Sequence, residues 1–284
     1  MNRILNCVAS DFGQPNTSLE LKDAIKGSGG RTILSEIDGR FQPLFDGITS
    51  AEIASAFGAD LVMLKRTDWV TCEFGGVRYD NPVEAFRKLA GIGVGVNFNV
   101  AGAWGANYAP IPEALDKFVA MGPDFLSLTG YHIPEVTKEE ILKDIKNVRD
   151  RFAGFLNVHH VLVNSDELDL DCYLAYVDAG ADMITMPVPG TVQGITVERL
   201  HKYVDAIHAA GALVSLTTFT SQEGSDVQTV RDMAIAARMA GADVFAFGDA
   251  NICGVPEPED IMAASLAMRG KRHTYLRMAR SATR

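Results

Sequence analysis

The sequence predicts an α/β fold in which eight strand–helix units close into a single parallel barrel. The main observation is a repeat, in which glycine, then alanine or proline, then aspartate precede a short apolar strand. The glycines of its four copies are 64, 58 and 61 residues apart, and a helix-like stretch precedes each one. Four more apolar strand candidates lie between the copies, and strict alternation of strands with helices implies a parallel sheet. The copies are Gly58–Leu64, Gly122–Leu128, Gly180–Met186 and Gly241–Phe247.

The remaining elements follow in order along the chain. Thr49 with Glu52, and Thr137 with Glu140, have the spacing of capping boxes, which supports two of the helix starts. The four strands outside the repeat are expected at 31–38, 93–100, 155–163 and 212–220. The eight helices are expected at 49–57, 82–91, 111–121, 137–152, 168–179, 196–210, 226–240 and 258–269.

Eight such units in fewer than 300 residues, with the repeated Gly-Ala-Asp, resemble the TIM-barrel superfamily over residues 30–270. We therefore expect a single (β/α)8 TIM-barrel domain spanning 1–284. Within it, 1–29 form a capping segment whose helix at 17–27 covers the barrel bottom, and 271–284 form a C-terminal helix or tail. A doubly wound open sheet is the alternative, but no GxGxxG pattern follows the first strand.

Composition and charge argue against several classes of protein. The formal net charge is −10, whereas a nucleic-acid-binding protein would carry a basic stripe. No apolar run reaches the roughly 18 residues of a membrane span. The apolar stretch near the N-terminus is too short for a signal peptide. We therefore expect a cytoplasmic protein with a small-molecule substrate and no nucleic-acid or membrane partner.

Neither the cysteines nor the basic end of the chain indicates a special site. The cysteines form no CxxC pair and no zinc spacing, so we expect reduced structural thiols. The basic end is expected to be a solvated helix terminus or a contact between subunits of a homo-oligomer. The cysteines are Cys7, Cys72, Cys172 and Cys253, and the basic residues are Lys271, Arg272, Arg277, Arg280 and Arg284.

Alternation along the strands predicts a polar ring at one end of the barrel. Successive strand residues face opposite sides, and the bulky apolar set of each strand fits against the helices. The other set faces the barrel interior and becomes polar towards the strand ends. Polar groups collected at the C-terminal end of a barrel are the pattern expected of an active site. The predicted ring is Glu36, Lys65, Asn97, Thr129, His159, Pro187, Thr217 and Gly248, with Asp38 and Asn99 one inward step further along.

Three residue types in this ring carry the candidate chemistry. Lys65 suits a Schiff-base nucleophile or a fixed cation for an anionic group, and the structural alternative is an ion pair with Glu36. Glu36 and Asp38 suit a general base, a metal ligand or a counter-ion to Lys65. His159 suits a proton shuttle or a ligand, and the alternative is a hydrogen-bonded core residue. His160 is expected to face the helices and to be structural.

Further ligand contacts are predicted around the ring. Asn97, Asn99, Thr129 and Thr217 are expected to hold substrate oxygens, and His132, in the loop after the fourth strand, is expected to contact ligand. The loops after the seventh and eighth strands are where TIM barrels bind phosphate, but acidic residues among their glycines disfavour an anion there. The last predicted contacts are Gly248, Asp249 and Asn251, with Asp249 as a candidate acid.

The segment Asn97-Phe-Asn99, followed by the small-residue loop 101–106, resembles a motif of the phosphoenolpyruvate mutase and isocitrate lyase family. That family binds magnesium with a D-x-D followed by glycines, so the resemblance implies a divalent cation. Here asparagines stand in place of both aspartates, and a neutral amide is a weaker ligand for a hard cation. A divalent metal is therefore possible, and the sequence requires no cofactor.

Three functions remain open from the sequence. The first is a lyase- or aldolase-like enzyme, or an isomerase, that moves a proton next to the carbonyl of a small anionic metabolite, a 2-oxo acid or a sugar phosphate. The second is a metal-dependent mutase or hydrolase, with Glu36, Asp38, Asp249 or His159 as ligands. The third is a barrel that binds a metabolite without catalysis. The combination of an acid, a base and a lysine in one ring favours the first.

Overall fold

The computed structural model describes residues 3–13, 18–219, 222, 224–248 and 254–282. Eight parallel strands close into a barrel in the order β1-β10-β9-β8-β7-β6-β5-β2, which confirms the predicted TIM barrel. β3 and β4 form a separate antiparallel hairpin around Gly75-Gly76 in the loop after β2. The strands are β1 Thr32–Asp38, β2 Leu61–Lys65, β3 Glu73–Phe74, β4 Val77–Arg78, β5 Gly93–Asn99, β6 Phe125–Gly130, β7 Phe155–His160, β8 Met183–Pro187, β9 Leu213–Thr218 and β10 Val244–Phe247.

The helices begin and end close to their predicted positions. Thr49 caps the second helix with the reciprocal pair of hydrogen bonds to Glu52, and Gly58 ends it in the left-handed region. Within the described ranges, no helix is both long enough and apolar enough to cross a membrane. The helices are α1 Ser18–Lys26, α2 Ser50–Phe57, α3 Pro82–Ala90, α4 Pro112–Ala120, α5 Lys138–Arg149, α6 Leu170–Asp178, α7 Val197–Ala209, α8 Val227–Ala240 and α9 Pro258–Met278.

The barrel has two separate apolar layers, as the alternation predicts. The outward residues of the strands pack against the helices in one large cluster. The inward residues of the lower half form a second cluster with the N-terminal segment and α1, which close the bottom of the barrel. Because apolar side chains fill the lower half, the polar inward residues lie together in the upper half. The inward apolar residues are Leu34, Leu61, Met63, Phe125, Phe155, Met183, Leu213, Val244 and Ala246.

The repeated aspartates stabilise the bottom of the barrel. Each accepts a hydrogen bond, 2.8 to 2.9 Å long, from a backbone N–H of the preceding barrel strand. Each also contacts a cationic side chain or a histidine, so a carboxylate joins a strand to a helix four times around the barrel. The repeat is therefore structural rather than catalytic. The pairs are Asp60 with Arg269, Asp124 with Arg87, Asp182 with Arg149 and Asp243 with His208.

The basic end of the chain is only partly solvated. Lys271 and Arg272 are exposed, but Arg277 is buried, and the prediction of a solvated terminus is wrong for it. Arg277 is 5% exposed and donates to the backbone carbonyls of Ala59 and Asp60. Arg280 donates to the backbone carbonyl of Leu5. A break at Gly270, with φ of 68°, interrupts α9 before these contacts. Carbonyl groups of the barrel bottom attract the guanidinium groups inward, and this attraction outweighs their solvation. Of the predicted thiols, three are free and buried, and Cys253 lies outside the described residues.

We expect His208 to link stability to pH. The Asp243 carboxylate accepts a hydrogen bond from its ring and raises the pKa of His208 above the ordinary 6.5. The stabilisation is therefore fully present below pH 6.5 and is lost as pH rises through the raised pKa. His208→Gln should cost less than about 1 kcal/mol at pH 6, because the pair is partly exposed, and almost nothing at pH 9. Urea unfolding at both pH values measures this, and an equal loss at both would contradict it.

Candidate active site

An ion pair lies at the centre of the upper barrel. Lys65 ends β2 and Glu36 lies on the adjacent β1, and both side chains are only 3% exposed. Lys65 Nζ donates to Glu36 Oε2 at 2.5 Å. The ammonium group also lies 5.6 Å from the centre of the Tyr131 ring, within cation–π range. The ion pair is the arrangement that the sequence offers as the structural alternative, and it also places an amine and a carboxylate within proton-transfer distance.

Two arginines hold the second predicted carboxylate. Arg40 makes a two-pronged contact with Asp38, and Arg66 donates to the same carboxylate. Burial alone would raise the pKa of Asp38, but the hydrogen bonds from Arg40 and the charge of Arg66 outweigh it and hold that pKa below its usual range. Asp38 is therefore a permanent anion at neutral pH, which suits a counter-ion rather than a general base.

Arg66 is a candidate site residue that the sequence does not reveal. It is 9% exposed and follows Lys65 directly, so alternation alone would point it towards the helices. Its φ of 52° is in the left-handed region, and its side chain reaches Asp38 and lies 5.8 Å from the Tyr131 ring. Ala101 and Trp104 also have positive φ values. Such strain costs roughly 1–3 kcal/mol per residue and concentrates at functional sites. It marks Arg66 in the structure, but the sequence carries no matching signal.

Amide and hydroxyl groups line the β5 to β7 side of the barrel. Asn97 Oδ1 accepts a hydrogen bond from Thr129 at 2.7 Å, and Asn97 Nδ2 donates to Asn99 Oδ1 at 3.1 Å. Asn99 in turn donates to the backbone carbonyl of Ala103 in the loop above. One layer lower, Asn157 donates to Ser127 and accepts from Thr185. The upper network holds the predicted oxygen-binding residues Asn97, Asn99 and Thr129 in fixed orientations.

The predicted histidine lies on β7, next to this network. His159 is 4% exposed, and its ring lies 5.5 Å from the ring of Phe219 in the loop after β9. Thr217 is buried and donates to the backbone carbonyl of Thr218 at 3.2 Å. A side chain at Gly248 would meet that same carbonyl at 2.5 Å, so only glycine fits there. We call the inward polar residues of the upper barrel, together with Gly248, the mouth: Glu36, Asp38, Lys65, Asn97, Asn99, Thr129, His159, Thr217 and Gly248.

Of the predicted site residues that the structure describes, His132 lies outside the mouth. The His132 side chain is 56% exposed, and its Nδ1 lies 3.5 Å from a Glu167 carboxylate oxygen. It lines a surface pocket beside Tyr131, next to the mouth. His160 contacts the Tyr176 hydroxyl among the helices, as predicted for a structural residue. Asp249 and Asn251 lie outside the described residues.

The loops after β1, β2 and β5 are tied to one another beside the mouth. Gly75 of the hairpin donates to the backbone carbonyl of Gly39 at 2.7 Å. Asn107 donates to Asp68 at 2.8 Å, which joins the second and third of these loops. Trp104, 65% exposed, lies with its ring over Arg66 and against Tyr131. An exposed aromatic ring above buried cations is well placed to cover a small ligand.

The described residues do not fit the divalent cation that the resemblance implies. Glu36 is paired with Lys65, and Asp38 with two arginines, so their oxygens already face cations. Asn97 and Asn99 present amides that bond to each other. Within the described ranges, no three His, Cys, Asp or Glu side chains lie together in a way that could hold a metal ion. The described donors of the mouth are therefore suited to organic anions.

Comparisons with known proteins agree with the barrel fold. Residues 5–284 match a family model described as Domain of unknown function (DUF7916). No curated protein matches the sequence. An archaeal fructose 1,6-bisphosphate aldolase is similar in structure, at 14% identity, with 85% of this chain and 94% of that chain covered and a TM-score of 0.54.

Two further solved structures are similar at the same level. An oxaloacetate acetylhydrolase has 14% identity and a TM-score of 0.51, with 82% of this chain and 80% of that chain covered. A 2,3-dimethylmalate lyase of the PEP mutase/isocitrate lyase superfamily has 15% identity and a TM-score of 0.50, with 81% and 80% covered. Identities this low show the shared fold alone.

Proposed function

The chain belongs to the DUF7916 family, and from the geometry of the mouth we propose that it is a lyase- or aldolase-type enzyme. Its substrate would be a small 2-oxo acid, and the reaction would move a proton on the carbon next to the carbonyl. The observation that carries this proposal is the buried contact of 2.5 Å between Lys65 Nζ and Glu36 Oε2. A buried amine in contact with a proton acceptor can act as a nucleophile or stabilise an enolate.

The charges around the mouth favour an anionic substrate. Lys65, Arg40 and Arg66 face the carboxylates of Glu36 and Asp38, and three cations against two anions leave one positive charge among these described groups. A substrate carboxylate would balance it. The acidic loops after β9 and β10 disfavour a phosphate group, so a 2-oxo acid fits this site better than a sugar phosphate.

In the proposed reaction, Lys65 gives its extra proton to Glu36, and the free amine attacks the substrate carbonyl carbon. Glu36 returns this proton as the carbonyl oxygen leaves as water, which forms the protonated C=N bond of an iminium ion that draws electrons from the neighbouring carbon. Breaking a bond at that carbon then leaves an enamine, and His159 or Glu36 supplies or removes the proton there. If Lys65 instead stays charged, it stabilises the same electron pair as an enolate.

The amide network gives the substrate oxygens defined partners. Asn97, Asn99 and Thr129 are buried and held by one another, so their donors are oriented before substrate arrives. Such preorganisation lowers the cost of stabilising a developing negative charge. An aldolase and a lyase stand among the structural neighbours, so this fold hosts the proposed class of chemistry.

Borohydride reduction in the presence of pyruvate tests the imine. We expect a covalent adduct on the peptide that contains Lys65, detected by mass spectrometry, and none in Lys65→Arg. Lys146, an exposed lysine on α5, is the control position and should remain unmodified. Failure to trap an adduct in a protein that still exchanges the pyruvate methyl protons would assign Lys65 the fixed-cation role.

Trp104 should report substrate binding. Only two tryptophans are present, and Trp104 is the one that lies over Arg66 with most of its ring exposed. We expect pyruvate to change the intrinsic fluorescence of the wild type, and Trp104→Phe to lose most of that change. Trp104→Ala should weaken pyruvate binding by about tenfold, since one covered aromatic contact is worth roughly 1–2 kcal/mol. The same response in Trp104→Phe as in the wild type would contradict a covering role.

A further inference from the structure

A separate pocket lies beside the mouth, between the ends of β9 and β10 and the starts of α8 and α9. Thr218 and Phe219 line it from the β9 side, Gly248 from the end of β10, and Asp260 from the first turn of α9. Gly248 belongs to both the mouth and this pocket, and the Phe219 ring also contacts His159. The two sites are therefore adjacent. Many TIM barrels bind phosphate in this region.

Asp260 is the feature of this pocket that points to a ligand. The residue is 5% exposed, and its Oδ1 has no hydrogen-bond partner within the described part of the chain. A buried carboxylate oxygen without a partner is costly, and such groups are expected where a ligand supplies the missing partner. Asp260 lines the pocket, so a donor placed there would reach it.

The charges around Asp260 are all of one sign. Burial first, and then the charges of Glu257, Glu259 and Asp226, raise the pKa of Asp260 to about 6. The described lining contains no lysine, arginine or histidine. Because the charged side chains among the described lining residues are the carboxylates Glu257 and Asp260, the pocket is suited to a cation rather than to a phosphate.

We propose that this pocket binds a primary ammonium group of the substrate, with Asp260 as its counter-ion. The inference deepens the proposed function, because it rests on a carboxylate bound at Lys65 and Arg66 and gives the same substrate an amino group at its other end. The substrate class is then an amino-substituted 2-oxo acid. Thr218 and Gln222 border the pocket and offer additional polar contacts.

Calorimetric titration of the full chain with two matched series of compounds tests the pocket. One series is the ω-amino acids from β-alanine to 6-aminohexanoate, and the other is the alkanoates of the same lengths. At one length we expect the amino acid to bind at least tenfold more tightly than its alkanoate, because a buried charge-assisted hydrogen bond is gained. Asp260→Asn should remove this advantage and leave alkanoate affinity unchanged. Glu259→Gln, an exposed neighbour that does not line the pocket, should retain most of it.

Equal affinity of both series at every length would overturn the inference, and so would tighter binding of the matching phosphonates. If neither series binds, the carboxylate site of the proposed function is wrong, and propylammonium alone then tests the pocket. Propylammonium binding that is lost in Asp260→Asn supports the pocket even then. Propylammonium binding that is absent, or unchanged by the substitution, contradicts it.

The stability of Asp260→Asn gives an independent readout. A carboxyl group whose pKa is raised from 3.8 to about 6 on folding costs stability above pH 6, and the cost disappears as pH falls below 3.8. The facing charges are Glu259 of α9 and the N-cap residues of α9 and α8, Glu257 and Asp226. We expect Asp260→Asn to raise the melting temperature at pH 8 and to raise it much less at pH 5. A lower melting temperature at pH 8 would mean that Asp260 has a structural partner.

Discussion

Replacing Lys65 with methionine is expected to lower pyruvate affinity by at least about 100-fold and to abolish exchange of its methyl protons. The substitution removes the amine and leaves Glu36, 2% exposed, without the cation at 2.5 Å. A buried charge that loses its partner costs about 3–5 kcal/mol of stability. We therefore expect this one substitution to lower both pyruvate affinity, measured by calorimetric titration, and the free energy of unfolding, measured with urea.

The double variant Glu36→Gln/Lys65→Met separates these two losses. Replacing both members of a buried ion pair with neutral groups of similar size is close to neutral for stability. The double variant should recover most of the unfolding free energy and none of the pyruvate binding. Wild-type pyruvate affinity in Lys65→Met would remove Lys65 from the site, and the ion pair would then be purely structural.

Asp60→Ala is expected to have the largest effect on stability alone. Asp60 is fully buried, accepts from the Ile33 N–H, and contacts Arg269 at 2.6 Å and Arg277 at 3.4 Å. Its loss leaves two buried guanidinium groups without their carboxylate, which should cost about 3–5 kcal/mol. Unfolding by urea measures the loss, and pyruvate affinity at temperatures where the variant is folded should not change.

Asp182 provides the matched control for this prediction. It occupies the same position of the repeat, but its pair with Arg149 is partly exposed, at 15% and 22% of the side chains. Asp182→Ala should therefore cost clearly less than Asp60→Ala, because water replaces part of the lost interaction. An equal loss of unfolding free energy in the two variants would show that the buried arginines do not determine the size of that loss.

The barrel and the orientation of its strands could be predicted from the sequence because each strand has one bulky apolar face. That alternation places Glu36, Lys65 and His159 inward, as the structure has them. The position of the Arg66 side chain in the site could not be predicted, because strand alternation ends with Lys65, the last residue of β2. The left-handed backbone of Arg66, with φ of 52°, then sets the direction of the chain. Tyr131 likewise follows the last residue of β6.

The sequence also does not predict which side chains pair over long distances along the chain. The glycine–aspartate repeat predicts where four strands begin, but the partners of Asp60 lie more than 200 residues away, on α9. Arg277 is buried by the same contacts, although its basic neighbours suggest a solvated helix end. Asp260 is predicted to be helical, but its burial depends on loops that only the folded chain brings together.

The central claim is that Lys65 and Glu36 activate the carbon next to a substrate carbonyl. Proton NMR of pyruvate in deuterium oxide tests this most directly, because it detects proton removal without knowledge of the natural co-substrate. We predict that the wild type accelerates loss of the methyl signal well above the buffer rate, and that Lys65→Met does not. Exchange at the buffer rate in the wild type, with pyruvate bound, would contradict the proposed chemistry.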